Sequence, residues 1–182
     1  KMGYKNSIDS ATLVNKCLEV VEAHYLFDIP FNKIDILIHP EAIVHSIIKK
    51  DNYVANMNLF KNDMNIPLIN FLTKSQNITI KYYPNFNLPR ISNYNFQEVT
   101  FSNFPIYKFF KDLNKHNPEN LIKFNIGNEL AVNLFKQKII RYTDIYKIIE
   151  KATSLNLYSP LNNIKSIINY HYEVENKLQE FY

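Results

Sequence analysis

The chain has 182 residues, 46% of them hydrophobic and 21% charged, enough to bury a real core in one or two compact units. Its 21 basic and 17 acidic side chains leave a net charge of +4 spread along the sequence, without the clustered basic stripe of a nucleic-acid-binding protein. No apolar run approaches bilayer-spanning length, nothing at Lys1 resembles a signal sequence, and the single cysteine excludes a disulfide framework or a thiolate zinc cage built from this chain alone.

The first strong signal is Asp9 to Phe27, reading DSATLVNKCLEVVEAHYLF. Val14, Leu18, Val21 and Tyr25 recur at helical spacing and predict one amphipathic helix, with Asp9 or Ser10 as its N-cap. Asn15, Lys16 and Glu19 fall within one narrow arc beside that stripe, Asn15 and Glu19 as i, i+4 partners. A helix start favours an anion, and the Ser10 hydroxyl, the Asn15 amide and the Lys16 ammonium are the donors a phosphate wants. Glu19, one turn further, has the oxygen chemistry that Mg²⁺ or Mn²⁺ takes. The same spacing also describes a surface ion pair between Lys16 and Glu19 on a core helix.

After a turn at Asp28 to Asn32, the alternation of Ile34, Ile36 and Ile38 predicts a half-buried strand ending at His39-Pro40. Ile43 to Lys49 and Tyr53 to Leu59 predict two more strands around the polar turn Lys50, Asp51, Asn52. His39, beside the proline, reads as structural. Phe60 to Pro67 reads as a loop and Leu68 to Leu72 as a short apolar piece. From Thr73 the periodicity is lost, apart from a short strand candidate at Ile78 to Tyr82, so 73–99 reads as a linker. Helical signals then dominate. They are a stripe of Ile106, Phe109, Phe110 and Leu113 after Pro105, a helix from near Asn128, a third from Thr143 with Ile145, Ile148, Ile149 and Ala152, and a fourth from Ser159-Pro160 with Leu161, Ile164, Ile167, Ile168 and Val174. The fold class is α+β: a helix-and-sheet portion over 1–72, the linker, and a four-helix bundle over 100–182.

The run MGYKNSIDSATLVNKCLEVVEAHYLF, followed by IHPEAIVHSI and later by Asp63, Met64 and Pro67, resembles the catalytic domain of the 1-deoxy-D-xylulose 5-phosphate reductoisomerase family. Met2, Gly3, Asp9, Ser10, Ala11, Thr12, Asn15, Lys16, Leu18, Glu19, Glu22, Ala23, Leu26 and Phe27 match its pattern without a gap. The resemblance implies an enzyme that isomerises its substrate and reduces it with NADPH to 2-C-methyl-D-erythritol 4-phosphate in non-mevalonate isoprenoid biosynthesis. It implies that Ser10, Asn15 and Lys16 hold the substrate phosphate and its neighbouring hydroxyl, that Glu19 is one of three carboxylate ligands to Mg²⁺ or Mn²⁺, and that His45 orients groups near the active site. Gly3 matches a cofactor-contacting backbone position, and Met2 and Met64 match methionines near the nicotinamide. Asn125, Asn128 and Glu129 match an asparagine-glutamate motif, read as capping and domain contact.

The chain departs from the family at Cys17, which stands where glycine is usual, at the hairpin turn, where Asp-Gly is common, and at Phe60 and Asn62, which stand where glycine and proline precede Asp-Met. The family begins with a Rossmann-type NADPH domain and two further metal carboxylates. With two glycines in all, this chain carries no glycine-rich βαβ fingerprint. The expectation is therefore a C-terminal portion, inactive alone, that works with a preceding segment of the same enzyme on a small phosphorylated sugar, as a homodimer. The abundance of Lys, Asn, Ile and Tyr resembles apicomplexan proteins, in which this pathway occupies a relict plastid. The competing reading is a non-enzymatic α+β and helical module that binds a protein or an acidic ligand.

Overall fold

A computed structural model of the chain describes residues 3–73 and 94–182, so Met2 and the strand candidate at Ile78 to Tyr82 lie outside the described residues. Two compact units form, one from Lys1–Ile36 with Thr100–Tyr182 and the other from Leu37–Val99. This differs from a division at 1–72, 73–99 and 100–182. The N-terminal helices share the core of the C-terminal ones, because Val14, Cys17 and Val20 are buried together with the bundle residues Ile106, Phe110 and Phe124.

The first unit is all helix: α1 (Tyr4–Ala11), α2 (Val14–Phe27), a 3-10 turn (Phe31–Lys33), then, beyond the second unit, α4 (Pro105–Asp112), α5 (Pro118–Lys136), α6 (Asp144–Thr153) and α7 (Ile164–Gln179). α1 packs on α2, α2 on α4, and α5 on both α6 and α7. α5 begins ten residues earlier than the sequence reading, because Asn117 accepts the Glu119 N–H at 3.0 Å and Pro118 opens the helix, where its missing N–H costs nothing. Asn125, Asn128 and Glu129 are thereby interior residues of α5 and cap nothing.

α6 buries Ile145, Ile148, Ile149 and Ala152, as its periodicity predicts. α7 starts later than Ser159-Pro160, at a capping box in which Asn163 and Ser166 bond each other's backbone, and it buries Tyr170, Val174 and Leu178 while Ile164, Ile167 and Ile168 stay exposed. The spacing of four between the buried residues, together with the Tyr170 hydroxyl donating to the Leu157 carbonyl at 3.1 Å, fixes which face turns inward. At the end of α4, Lys115 donates to the carbonyls of Phe110, Lys111 and Leu113, three orphan acceptors closed by one ammonium. Beneath it Cys17 is fully buried, and burial pushes its thiol up to about 12, so the residue is an inert part of the core.

Gly127 marks the closest helix approach. A Cβ there would stand 2.8 Å from Ala152 Cβ and 2.9 Å from Ile149 Cα, so α5 and α6 touch backbone to side chain. Gly127→Ala gains about 1 kcal/mol of helix propensity, but overpacking against backbone costs about 1–3 kcal/mol. The net cost of up to about 2 kcal/mol should lower Tm by up to about 8 °C. Gly3→Ala, where a Cβ meets nothing within 4 Å, should leave the melt in place; equal melts for the two variants would contradict this packing.

The second unit holds β1 (Leu37–Ile38), β2 (Val44–Lys50), β3 (Tyr53–Leu59), α3 (Asn65–Thr73) and β4 (Gln97–Glu98). The alternation of Ile34, Ile36 and Ile38 survives as alternating burial, but only Leu37 and Ile38 enter a ladder, antiparallel to β4. β2 and β3 form a hairpin closed by Asp51 and Asn52, with Asp51 at φ 53°, a left-handed position that aspartate tolerates in place of glycine. The loop expected through Pro67 ends at Met64. Asp63 accepts the Asn65 N–H at 2.9 Å, and Pro67 sits in the first turn of α3, so Leu68 to Leu72 are helical. None of the described residues of this unit is buried. Among the described residues no helix is long and apolar enough to cross a membrane.

Candidate functional site

The expected single helix from Asp9 to Phe27 is two helices. Thr12 ends α1 by turning its hydroxyl onto the Ile8 carbonyl at 3.0 Å, and Leu13 then adopts φ 62°, ψ 10° with its side chain buried. α2 therefore starts at Val14. Asp9 is no cap: it is buried inside α1, where one carboxylate oxygen accepts from Lys5 Nζ at 2.6 Å and the other from Asn128 Nδ2 at 2.9 Å. Ser10 occupies the last turn of α1, its carbonyl accepting the Leu13 N–H at 3.2 Å.

The break moves the helix start toward the polar residues. Leu13 has no side-chain oxygen to offer the first turn of α2, and only the Val14 N–H reaches a hydroxyl, that of Thr12 at 3.5 Å. First-turn amides thus open beside Asn15 and Lys16, with the positive end of the α2 dipole behind them. The expected inward stripe shifts as well. Val14, Cys17 and Val20 are buried, whereas Leu18 and Val21 are half-buried and Tyr25 is 61% exposed.

Asn15, Lys16 and Glu19 do form one cluster. The Asn15 amide donates to Glu19 Oε1 at 2.8 Å and the Lys16 ammonium to Oε2 at 2.6 Å, with the Lys16 and Glu19 side chains 47% and 44% exposed. The surface ion pair between Lys16 and Glu19 is therefore present, and Asn15 shares its carboxylate. The donor chemistry of Glu19 suits a hard divalent ion, since it is an accessible carboxylate with a fixed orientation. The number of donors does not suffice, because among the described residues no three His, Cys, Asp or Glu side chains converge.

Of the other sequence candidates, Gly3 belongs to the first unit and His39, His45 and Met64 to the second. Gly3 precedes α1 at φ −62°, so neither conformation nor local packing requires a glycine there. His45 lies in the second unit at a bulge in the β2–β3 register, stacked on Phe60 at 3.7 Å with Nε2 against the Phe60 carbonyl at 3.1 Å. Met64 is 66% exposed, not a gap-filling core methionine. His39 is held by the Asn95 carbonyl at 2.8 Å and by Glu41 at 3.0 Å, which fits a structural role. The break residues Thr12 and Leu13 escaped sequence reading, since an apolar residue in a left-handed conformation leaves no signal. Asn128 was legible as part of the asparagine-glutamate motif read as capping and domain contact, but not as the donor to Asp9.

Fold and site define a class: an α+β chain whose helical core presents an open helix start with an amide, an ammonium and a carboxylate grouped on its first turns. The chain belongs to the DXP reductoisomerase C-terminal domain family, which matches residues 59–177, while residues 1–27 match a second family described as the 1-deoxy-D-xylulose 5-phosphate reductoisomerase C-terminal domain. It is similar to the 1-deoxy-D-xylulose 5-phosphate reductoisomerases of Sulfurihydrogenibium sp. (strain YO3AOP1), 36% identical over 168 residues, and of Wolbachia sp. subsp. Drosophila simulans (strain wRi), 37% identical over 172 residues. These alignments cover 91% and 92% of this chain and 44% of each relative.

Two solved structures are similar in fold as well. The Zymomonas mobilis reductoisomerase in complex with NADPH matches with TM-score 0.86 and 27% identity, over 97% of this chain and 47% of that one. A DOX-P reductoisomerase in complex with NADPH, fosmidomycin and magnesium matches with TM-score 0.85 and 27% identity, over 99% of this chain and 46% of that one. The chain thus spans less than half the length of the relatives it matches. Nothing in these likenesses favours a non-enzymatic module.

Proposed function

We propose that the chain is the C-terminal portion of an enzyme that rearranges 1-deoxy-D-xylulose 5-phosphate and reduces the product with NADPH to 2-C-methyl-D-erythritol 4-phosphate. The observation that carries the reading is the Asn15, Lys16 and Glu19 cluster at the open start of α2, in a chain of this family. Ser10, Asn15 and Lys16 bind the phosphate oxygens, Lys16 with two ammonium hydrogens beyond the one given to Glu19. Anchoring the phosphate far from the reacting carbons fixes their orientation, so binding energy serves alignment.

Glu19 is the one carboxylate this chain offers to Mg²⁺ or Mn²⁺, and such an ion, when bound, stabilises negative charge on substrate oxygens. Asn15 holds that carboxylate in place. By resemblance to the family, Gly3 is assigned to contact the cofactor, Met2 and Met64 are assigned to its nicotinamide, which would supply the hydride, and His45 is assigned to orient active-site groups. The remaining metal ligands and the cofactor domain come from a preceding segment of the same enzyme. Assembly as a homodimer and residence in a plastid belong to the same reading, the latter on the Lys, Asn, Ile and Tyr bias.

Turnover tests it directly. The complete polypeptide should convert 1-deoxy-D-xylulose 5-phosphate with NADPH and a divalent ion, and Lys1–Tyr182 alone should not. Absence of turnover in the complete polypeptide would overturn the function, and turnover by Lys1–Tyr182 alone would overturn the division of labour.

A further inference from the structure

Asp9 is a carboxylate with 1% exposure, and among the described residues its one partner from the bundle is Asn128, itself fully buried and 119 residues away in sequence. Lys5, on the surface side, balances the Asp9 charge. The Asn128 amide nitrogen serves this contact, while its side-chain carbonyl oxygen finds no partner among the described residues. A buried acceptor left unsatisfied is unfavourable, so the position is not one that packing alone would select.

Both ends of the contact are rigidly held. Next to Asn128, Gly127 brings α5 against α6 without room for a methyl group, so α5 cannot roll to relieve the pair. A second tie lies further along α5, where the Lys136 ammonium sits 5.8 Å from the centre of the Tyr4 ring, so α1 is fixed at two points. Asp9 directly precedes Ser10, and its carbonyl receives the Thr12 hydroxyl at 3.3 Å. From there to Lys16 the chain passes only through the break at Thr12 and Leu13. The placement of Ser10 relative to the open start of α2 therefore depends on where Asn128 holds Asp9.

We propose that Asn128 is a positioning residue for the phosphate end of the substrate: through Asp9 it sets the α1–α2 break that carries Ser10, Asn15 and Lys16. This rests on the phosphate-site reading above. A merely structural contact would affect stability alone, whereas a positioning contact raises KM and weakens inhibition by inorganic phosphate.

The test uses the complete enzyme, with inorganic phosphate as a competitive probe. Asn128→Asp, which sets two carboxylates against each other, and Asn128→Leu, which removes the donor, should raise KM and the phosphate inhibition constant at least tenfold. Adding Asp9→Asn to Asn128→Asp restores an amide–carboxylate pair with the roles exchanged, and should return both constants to within threefold. Should the single variants fail to fold, the exchanged pair decides: near-parental constants support the proposal and raised constants overturn it. Unchanged constants in folded Asn128→Asp or Asn128→Leu, whatever the melt does, also overturn it. Lys16→Met separates the two ideas. If it leaves both constants unmoved, the phosphate-site reading has failed. If it shifts them while the Asn128 variants do not, only the positioning role has failed.

Discussion

Glu19→Gln in the complete enzyme should abolish metal-dependent turnover and leave the fold intact. Glutamine keeps the size of the side chain and an oxygen that can accept from Asn15 or Lys16, so the local contacts survive in weaker form. Both partners of the ion pair are nearly half exposed, and such a pair is worth about 0–1 kcal/mol, so the melt should hardly move. A hard divalent ion, by contrast, depends on the carboxylate charge. A metal titration of activity and a thermal melt on one variant read both roles. An unchanged Mg²⁺ or Mn²⁺ titration would leave Glu19 as the ion-pair partner of Lys16 and nothing more.

Lys16→Met has the next largest effect, on binding. Removing a charge-assisted contact to a phosphate forfeits about 1.5–3 kcal/mol, which is roughly tenfold to a hundredfold in affinity. The loss should appear in KM for the phosphorylated substrate and equally in the affinity of a phosphonate carrying a hydroxamate. Stability should be nearly unaffected, since Lys16 is 47% exposed and its resting partner is a surface carboxylate. Kinetic constants within twofold of the parent would return Lys16 to the status of a surface lysine.

The polar arc of Asn15, Lys16 and Glu19 was legible because helical spacing is indifferent to where the helix begins: all three lie past the break, and their contacts depend only on local geometry. The helix start was misplaced because Asp9 and Ser10 have the chemistry of caps, and only a partner 119 residues away reveals that Asp9 is needed inside. The hairpin was readable from two strand-forming runs around a polar turn, while the bulge at His45 was not, since an extra residue leaves the composition of a strand unchanged. The start of α5 at Asn117-Pro118-Glu119 carried a complete capping signature, yet the Asn125–Glu129 motif drew the boundary toward itself. α7 erred in the opposite way, because Ile164, Ile167 and Ile168 look like core and a tyrosine, Tyr170, occupies the buried position. The 1–27 and 100–182 segments share a core through contacts that no local pattern records.

Leu13 has a further consequence. A bulky residue at φ 62° costs about 1–2 kcal/mol against the ordinary helical region, and glycine would adopt that backbone without strain. A glycine break, however, would be a swivel: free to sample many orientations, it would have to be ordered whenever one of them was needed, at about 1–2 kcal/mol per residue fixed. Leucine at this point carries its own anchor, since burying the side chain ties the distorted backbone to the core. The disorder is removed once, when the chain folds, and the first-turn amides of α2 are held in one orientation, as the proposed anion site requires.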